Sequence, residues 1–294
     1  MADFIKQLNT EILSALENED LFSENLMPDI KSGEVFPSIR NNRVDFYHKG
    51  GKLFSYNQEG FSTHIKYASV CKNVCGAKSK TNEDYEDYIK EKNLKRIEVI
   101  KNFKQGYKRI KENCSLYSRD EAAGVASLCE KYSYIKKDFN TVILDIEISF
   151  KSLKDETKSD RIDLLLLNKE SGCLQFYEAK KFSNKEIWSR ENTPPLVLEQ
   201  IEKYQGQIEE KEKHIIKQYV NYINIANEMF GLEMKVPKII SKKVPLLIFG
   251  FDRDQLRGRF DRLLKSDGSL DGIKHYSIGD ISGTKIENMW KQCN

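Results

Sequence analysis

The chain has 294 residues, of which 39% are hydrophobic and 32% charged, and its formal net charge is +3. That length buries one large core or two ordinary ones, and the composition is globular rather than disordered. No apolar run approaches the roughly 18 residues that span a bilayer, and the first residues, MADFIKQLNTEILSALENEDLF, do not read as a signal peptide; a cytoplasmic protein with no membrane partner is the expectation.

The six cysteines, Cys71, Cys75, Cys114, Cys129, Cys173 and Cys293, contain no CxxC pair and read as reduced thiols. The other reading is a zinc site built from Cys71 and Cys75 with His48 or His64, although that spacing is not a standard ligand pattern. The net charge is small for a nucleic-acid binder, so the distribution of charge matters more than its sum.

Residues 1–30 read as a short amphipathic helix and a loop. Residues 43–70 are β-rich: Val44–Tyr47 and Lys52–Tyr56 flank Gly50-Gly51, a hairpin signal, and a third strand is expected from Ser62 to Val70. A long helix is expected over 82–113, capped by Asn82 and acidic in its first turns. Its later part is basic, with Lys95, Lys101, Lys104 and Lys108 among its cations, and reads either as a surface laid along a phosphate backbone or as a solvated face. Tyr85, Tyr88 and Tyr107 interleave with it, for base stacking or for packing. A further helix is expected from Asp120 to about Tyr134.

Three strands follow, at 141–150, 161–168 and 174–182, the last two joined by Lys169-Glu170-Ser171-Gly172 as an antiparallel hairpin. Asp145 and Glu147 share a face of the first, read as solvent-facing or as an extra acidic contribution. Pro194-Pro195 opens a long helix running to about Phe230, with a break within it and Gly231 as its stop. A short buried strand at 245–251, a helix at 254–265 and a strand at 274–278 complete the chain. His48, His64, His214 and His275 show no metal spacing.

The hairpin carries the chemistry. Strand alternation puts Leu174, Phe176, Glu178, Lys180 and Phe182 on one face, and Asp163 with Leu165 and Leu167. A carboxylate and an ammonium on an apolar face need each other, a metal or a substrate. Two carboxylates and a lysine are the minimal parts for metal-assisted phosphodiester hydrolysis. Asp163, Glu178 and the Ala179 carbonyl suit Mg²⁺, which prefers oxygen ligands, and Mn²⁺ is expected to substitute. Lys180 would orient the attacking water or stabilise developing charge. The competing reading is an internal salt bridge between Lys180 and either carboxylate.

The order of elements from about Asp120 to Ile278, with Asp163, then Glu178-Ala179-Lys180 one hairpin later, resembles the PD-(D/E)XK nuclease superfamily. The resemblance implies an α/β restriction-endonuclease-like core, a mixed four-stranded sheet flanked by helices, at 116–294, behind an N-terminal α+β region at 1–115 for DNA recognition or dimerisation. It implies Asp163, Glu178 and Lys180 as catalytic residues with Mg²⁺ as cofactor, although Ile162 stands where the family's name-giving proline would be. Gln200-Ile201-Glu202-Lys203-Tyr204 resembles the QxxxY of exonuclease-like branches, with Gln200 at the site and Tyr204 at the site or the DNA, or else with Tyr204 in the core. The family's upstream glutamate would be Glu121 first, Glu130 second or Glu147 third. A Mg²⁺-dependent DNA endonuclease, in a restriction or anti-phage setting and suited to a homodimer, is the leading expectation. An exonuclease or repair nuclease acting on ends, and an inert nucleic-acid-binding module, are the alternatives.

Overall fold

The computed structural model describes residues 4–69, 99–118, 120–151, 159–189, 193–264 and 270–293. These form a mixed α/β structure with two sheets. Two compact units divide the chain, one of residues 8–126 and one of residues 1–7 with 127–294. The division falls inside the helix α5 (Asp120–Tyr132). Among the described residues no helix is long and apolar enough to cross a membrane.

In the unit of residues 8–126, helix α1 (Thr10–Glu17) is capped by Asn9, whose side chain accepts from the Glu11 amide at 3.2 Å. A π-helical turn, Leu21–Leu26, and α2 (Met27–Ser32) follow. A four-stranded antiparallel sheet then runs in chain order through β1 (Phe36–Arg40), β2 (Arg43–His48), β3 (Gly51–Asn57) and β4 (Gly60–Ser62). The β2–β3 hairpin is the one expected at Gly50-Gly51: Lys49 and Gly50 both have positive φ, 49° and 81°, as a tight hairpin turn of matching twist requires.

Two expectations in this unit are corrected. The third strand is short, ending at Ser62, and α3 (Ile65–Ala68) replaces the rest: the His64 ring accepts from the Lys66 amide at 3.1 Å and starts a helical turn. The long basic helix does not run unbroken to residue 113. Val99 pairs with Ser69 as an extended bridge, and α4 (Phe103–Leu116) starts afresh where Asn102 caps the Gln105 amide at 3.0 Å. The rest of the proposed helix, with Lys95, Tyr85 and Tyr88, and the cysteines Cys71 and Cys75, lies outside the described residues. Tyr107 packs rather than stacks on a ligand: it is buried and donates to Asp29 at 2.6 Å.

The unit containing residues 127–294 is built on a six-stranded mixed sheet. β5 (Thr141–Lys151), β6 (Ser159–Asn168) and β7 (Cys173–Lys181) form an antiparallel meander, and β8 (Ile239–Ile240) pairs parallel with β7. β9 (Leu246–Phe249) pairs parallel with β7, and β10 (His275–Ile278) parallel with β9, giving the order β10-β9-β7-β6-β5. The strands expected at 141–150, 161–168, 174–182, 245–251 and 274–278 are all present, and β8 is added to them. The connection from β7 to β8 is α6 (Leu196–Phe230), which opens after Pro195, departs from helical geometry at Lys211 and ends at Gly231 in the left-handed conformation, φ 59°. A terminal helix, Ile286–Cys293, follows the 253–264 helical segment and was not legible.

The expectation that Asp145 faces solvent is also overturned, whereas Glu147 is partly exposed. Asp145 is fully buried, 2.5 Å from the Lys6 ammonium and 3.0 Å from the Tyr219 hydroxyl. Residues 4–7 lie inside this unit: Phe4 stacks on Phe150 with centroids 4.8 Å apart, and the His214 ring donates to the Phe4 carbonyl at 2.7 Å. A buried carboxylate requires such partners, and sequence periodicity carries no sign of one supplied from 139 residues away. Glu147 has a positive φ of 52° and pairs with Arg161 at 2.9 Å.

Candidate active site

The β6–β7 hairpin is tied at its turn by Asn168, whose side chain accepts from the Ser171 amide at 2.9 Å, and by Gly172 at φ 66°. Its register pairs Leu164 with Tyr177 and Leu165 with Phe176. Continued by one residue, the same register sets Asp163 opposite Glu178, so both side chains rise from one face. Beyond that point the Ala179 amide donates to the Asp163 carboxylate at 2.7 Å.

Burial is severe on this face. Glu178 is 2% exposed and Lys180 is 6% exposed. The Lys180 ammonium lies 2.9 Å from one Glu178 oxygen and 2.7 Å from Glu186. The other Glu178 oxygen is buried and has no hydrogen-bond partner among the described residues. Such an orphan costs about 1–3 kcal/mol or more when charged, so an internal Lys180–Glu178 salt bridge leaves half of this carboxylate unexplained. Burial, and then the Asp163 carboxylate, push Glu178 up to about 8 against the opposing pull of Lys180. Burial acts to lower the pKa of Lys180, yet the carboxylates of Glu178 and Glu186 outweigh it and hold the ammonium above its ordinary value.

The first turns of α6 belong to the same neighbourhood. The Tyr204 hydroxyl donates to the Arg161 carbonyl at 2.8 Å, and burial with the charges of Glu178 and Asp163 holds its pKa well up. Tyr204 is 5% exposed, which makes it a packed residue and not an exposed surface for a nucleic acid. Gln200, one turn earlier, has a buried amide oxygen without a partner among the described residues. Lys203 and Gln207 hold Asp160 at 2.6 and 2.8 Å, fixing the helix over the start of β6.

Asp163, Glu178, Ala179 and Lys180 thus meet, with Gln200 and Tyr204 on the helix that covers the start of β6. Glu121 belongs to the unit of residues 8–126, and Glu130 is exposed. Lys101 and Lys108 are exposed on that same unit, while Lys104 is held at 2.8 Å by both Asp20 and Glu24. Glu186 is the residue that pattern reading passed over. It sits on a single 3₁₀ turn, Lys185–Ile187, whose amide is capped by Asn184 at 2.8 Å, and no periodic signal marks it.

The donor set is all oxygen. Among the described residues no three His, Cys, Asp or Glu side chains gather as a metal site. A magnesium ion does not ask for three, because one or two carboxylates with waters and substrate oxygens satisfy it. Asp163 and Glu178, the latter with an oxygen that lacks a donor among the described residues, fit that demand. No family model, no curated protein and no solved structure matches this chain.

Proposed function

We propose that this chain is a Mg²⁺-dependent DNA endonuclease with a PD-(D/E)XK-like site. The observation that carries this reading is the buried, partnerless oxygen of Glu178, on the same strand face as Asp163 and beside Lys180. Asp163, Glu178 and the Ala179 carbonyl would hold the ion. When bound, the ion would polarise the phosphodiester and lower the pKa of a nucleophilic water.

The protein's own residues do the rest. Asp163 accepts from the Ala179 amide, which fixes the carboxylate against the neighbouring strand. Lys180 is anchored from two sides, by Glu178 and Glu186, and keeps its proton. It therefore serves as a fixed positive charge for the phosphoryl oxygens as they gain charge in the transition state, not as a general base. Apolar neighbours on this face, Phe176 and Leu165 among them, are fully buried and keep bulk water from screening these charges.

The deciding experiment incubates purified protein with plasmid, linear duplex, single-stranded DNA and RNA, with Mg²⁺ and with EDTA. Metal-dependent nicking or linearisation of closed circles supports the endonuclease. A second reading, an exonuclease acting on ends, draws on Gln200 and Tyr204 lying one turn apart on α6, a QxxxY spacing. Smooth shortening of linear DNA with intact circles would favour it. A failure to cut any of the four with Mg²⁺ or Mn²⁺ would leave the inert binding module.

A further inference from the structure

The helical segment 253–264, in the same unit as the site, carries Arg253, Arg257, Arg259 and Arg262, all exposed. It starts from a capping box: the Asp252 carboxylate accepts from the Gln255 amide at 2.7 Å, and Gln255 accepts in return from the Asp252 amide at 3.0 Å. Aromatic contacts bind the segment to the end of β7. The Phe182 ring meets Phe260 at 5.5 Å and Trp188 at 5.1 Å, and Phe251 stacks on Phe260 at 4.6 Å. Phe182 follows Lys180 by two residues, and Trp188 follows Glu186 by two.

Arg259 lies over the Trp188 ring, its guanidinium carbon 3.9 Å from the centroid. Trp188 in turn donates to the Phe182 carbonyl at 3.0 Å. Contacts therefore run from Phe182, two residues after Lys180, through Trp188 to this arginine. Several cations among the described residues are matched by carboxylates, as Lys104 is by Asp20, Lys203 by Asp160 and Lys242 by Glu209. Among the described residues Arg253, Arg257 and Arg262 make no ion pair, although Asp254 and Asp261 share their segment. Guanidinium groups that are exposed, weakly hydrated and forked are suited to phosphate oxygens.

We propose that Arg253, Arg257 and Arg262 form the surface that grips the phosphodiester backbone of duplex DNA beside the site, with Arg259 fixed on Trp188 as its inner edge. This rests on the nuclease reading above. It moves the electrostatic footprint from the lysines of α4 to the unit that carries Asp163 and Glu178. Backbone contacts of this kind position the duplex without reading its sequence.

The test measures binding of a fluorescent duplex to full-length protein carrying Asp163→Ala, so that nothing is cut, across a sodium chloride series. In that background R253Q/R257Q/R262Q should weaken binding and flatten the plot of log K against log salt by about 0.9 for each contact removed, about 2 to 3 in all. R253K/R257K/R262K keeps the charge and should keep the slope, which separates lost phosphate contacts from a damaged fold. A triple glutamine variant with the parent's affinity and slope overturns the proposal while leaving the nuclease reading intact. A wild-type protein that cuts no DNA and a parent that binds none sink both.

Discussion

Replacing Glu178 with glutamine should stabilise the metal-free protein at alkaline pH, although it removes a residue of the candidate site. The carboxylate is 2% exposed, and burial beside Asp163 pushes its pKa up to about 8 from an ordinary 4.5. Between those values the native state holds a proton that the unfolded chain has released. Stability therefore falls as pH rises from about 4.5 to about 8, and the loss is complete above that range. At about 1.36 kcal/mol per pH unit the loss amounts to about 3 to 5 kcal/mol. Glutamine stays neutral throughout and escapes it. Urea unfolding in EDTA should show Glu178→Gln more stable than wild type by about 3 kcal/mol near pH 8.5 and about equal near pH 4.5. A difference that does not change with pH, or a variant less stable at the alkaline end, would refute the reasoning. Adding Mg²⁺ at alkaline pH should raise the midpoint of wild type more than that of the variant, because only wild type offers the ion both carboxylates, Asp163 and Glu178.

Three further outcomes can be checked separately. Lys6→Met removes the ammonium from a fully buried Asp145 and should cost about 3 to 5 kcal/mol by urea unfolding, most of it recovered in Lys6→Met with Asp145→Leu. Gly50→Ala forces a positive φ of 81° on alanine and drives its Cβ to 2.5 Å from the Ala122 backbone. Protease resistance of residues 8–126 should fall sharply, corresponding to a loss of about 2 kcal/mol or more. Lys180→Met should lower the Mg²⁺-dependent cleavage rate by about 100-fold in a single-turnover assay while duplex affinity changes little.

Much of the second unit was legible because its signals are local. The β-branched run 141–150, the Lys169–Gly172 turn and Pro195 with Gly231 each announce their element, and the strands and long helix stand where those residues put them. Asp163 and Glu178 could be set side by side from hairpin register alone, since a two-strand register needs no distant information. What was not legible depends on contacts across the chain. Asp145 looks like a solvent residue until Lys6 and Tyr219 are brought to it. Glu186 gains its meaning only from its ion pair with Lys180 across a turn of no periodicity. The strand expected after Ser62 failed because a single cap, His64 on the Lys66 amide, outweighs a weak β pattern. The arginines of 253–262 read as ordinary helix surface in sequence, and their place beside Phe182 and Trp188 emerges only once the parallel strand β9 has returned the chain to β7.

The most direct measurement of the proposed chemistry compares wild type and Asp163→Ala on closed circular DNA, with Mg²⁺ and with EDTA. Wild type should nick or linearise the circles only with Mg²⁺, while Asp163→Ala, still folded and still binding duplex, should be slower by about 100-fold or more. Equal cutting by the two proteins, or no cutting by wild type with Mg²⁺ or Mn²⁺ on any nucleic acid, would contradict a hydrolytic site at Asp163, Glu178 and Lys180.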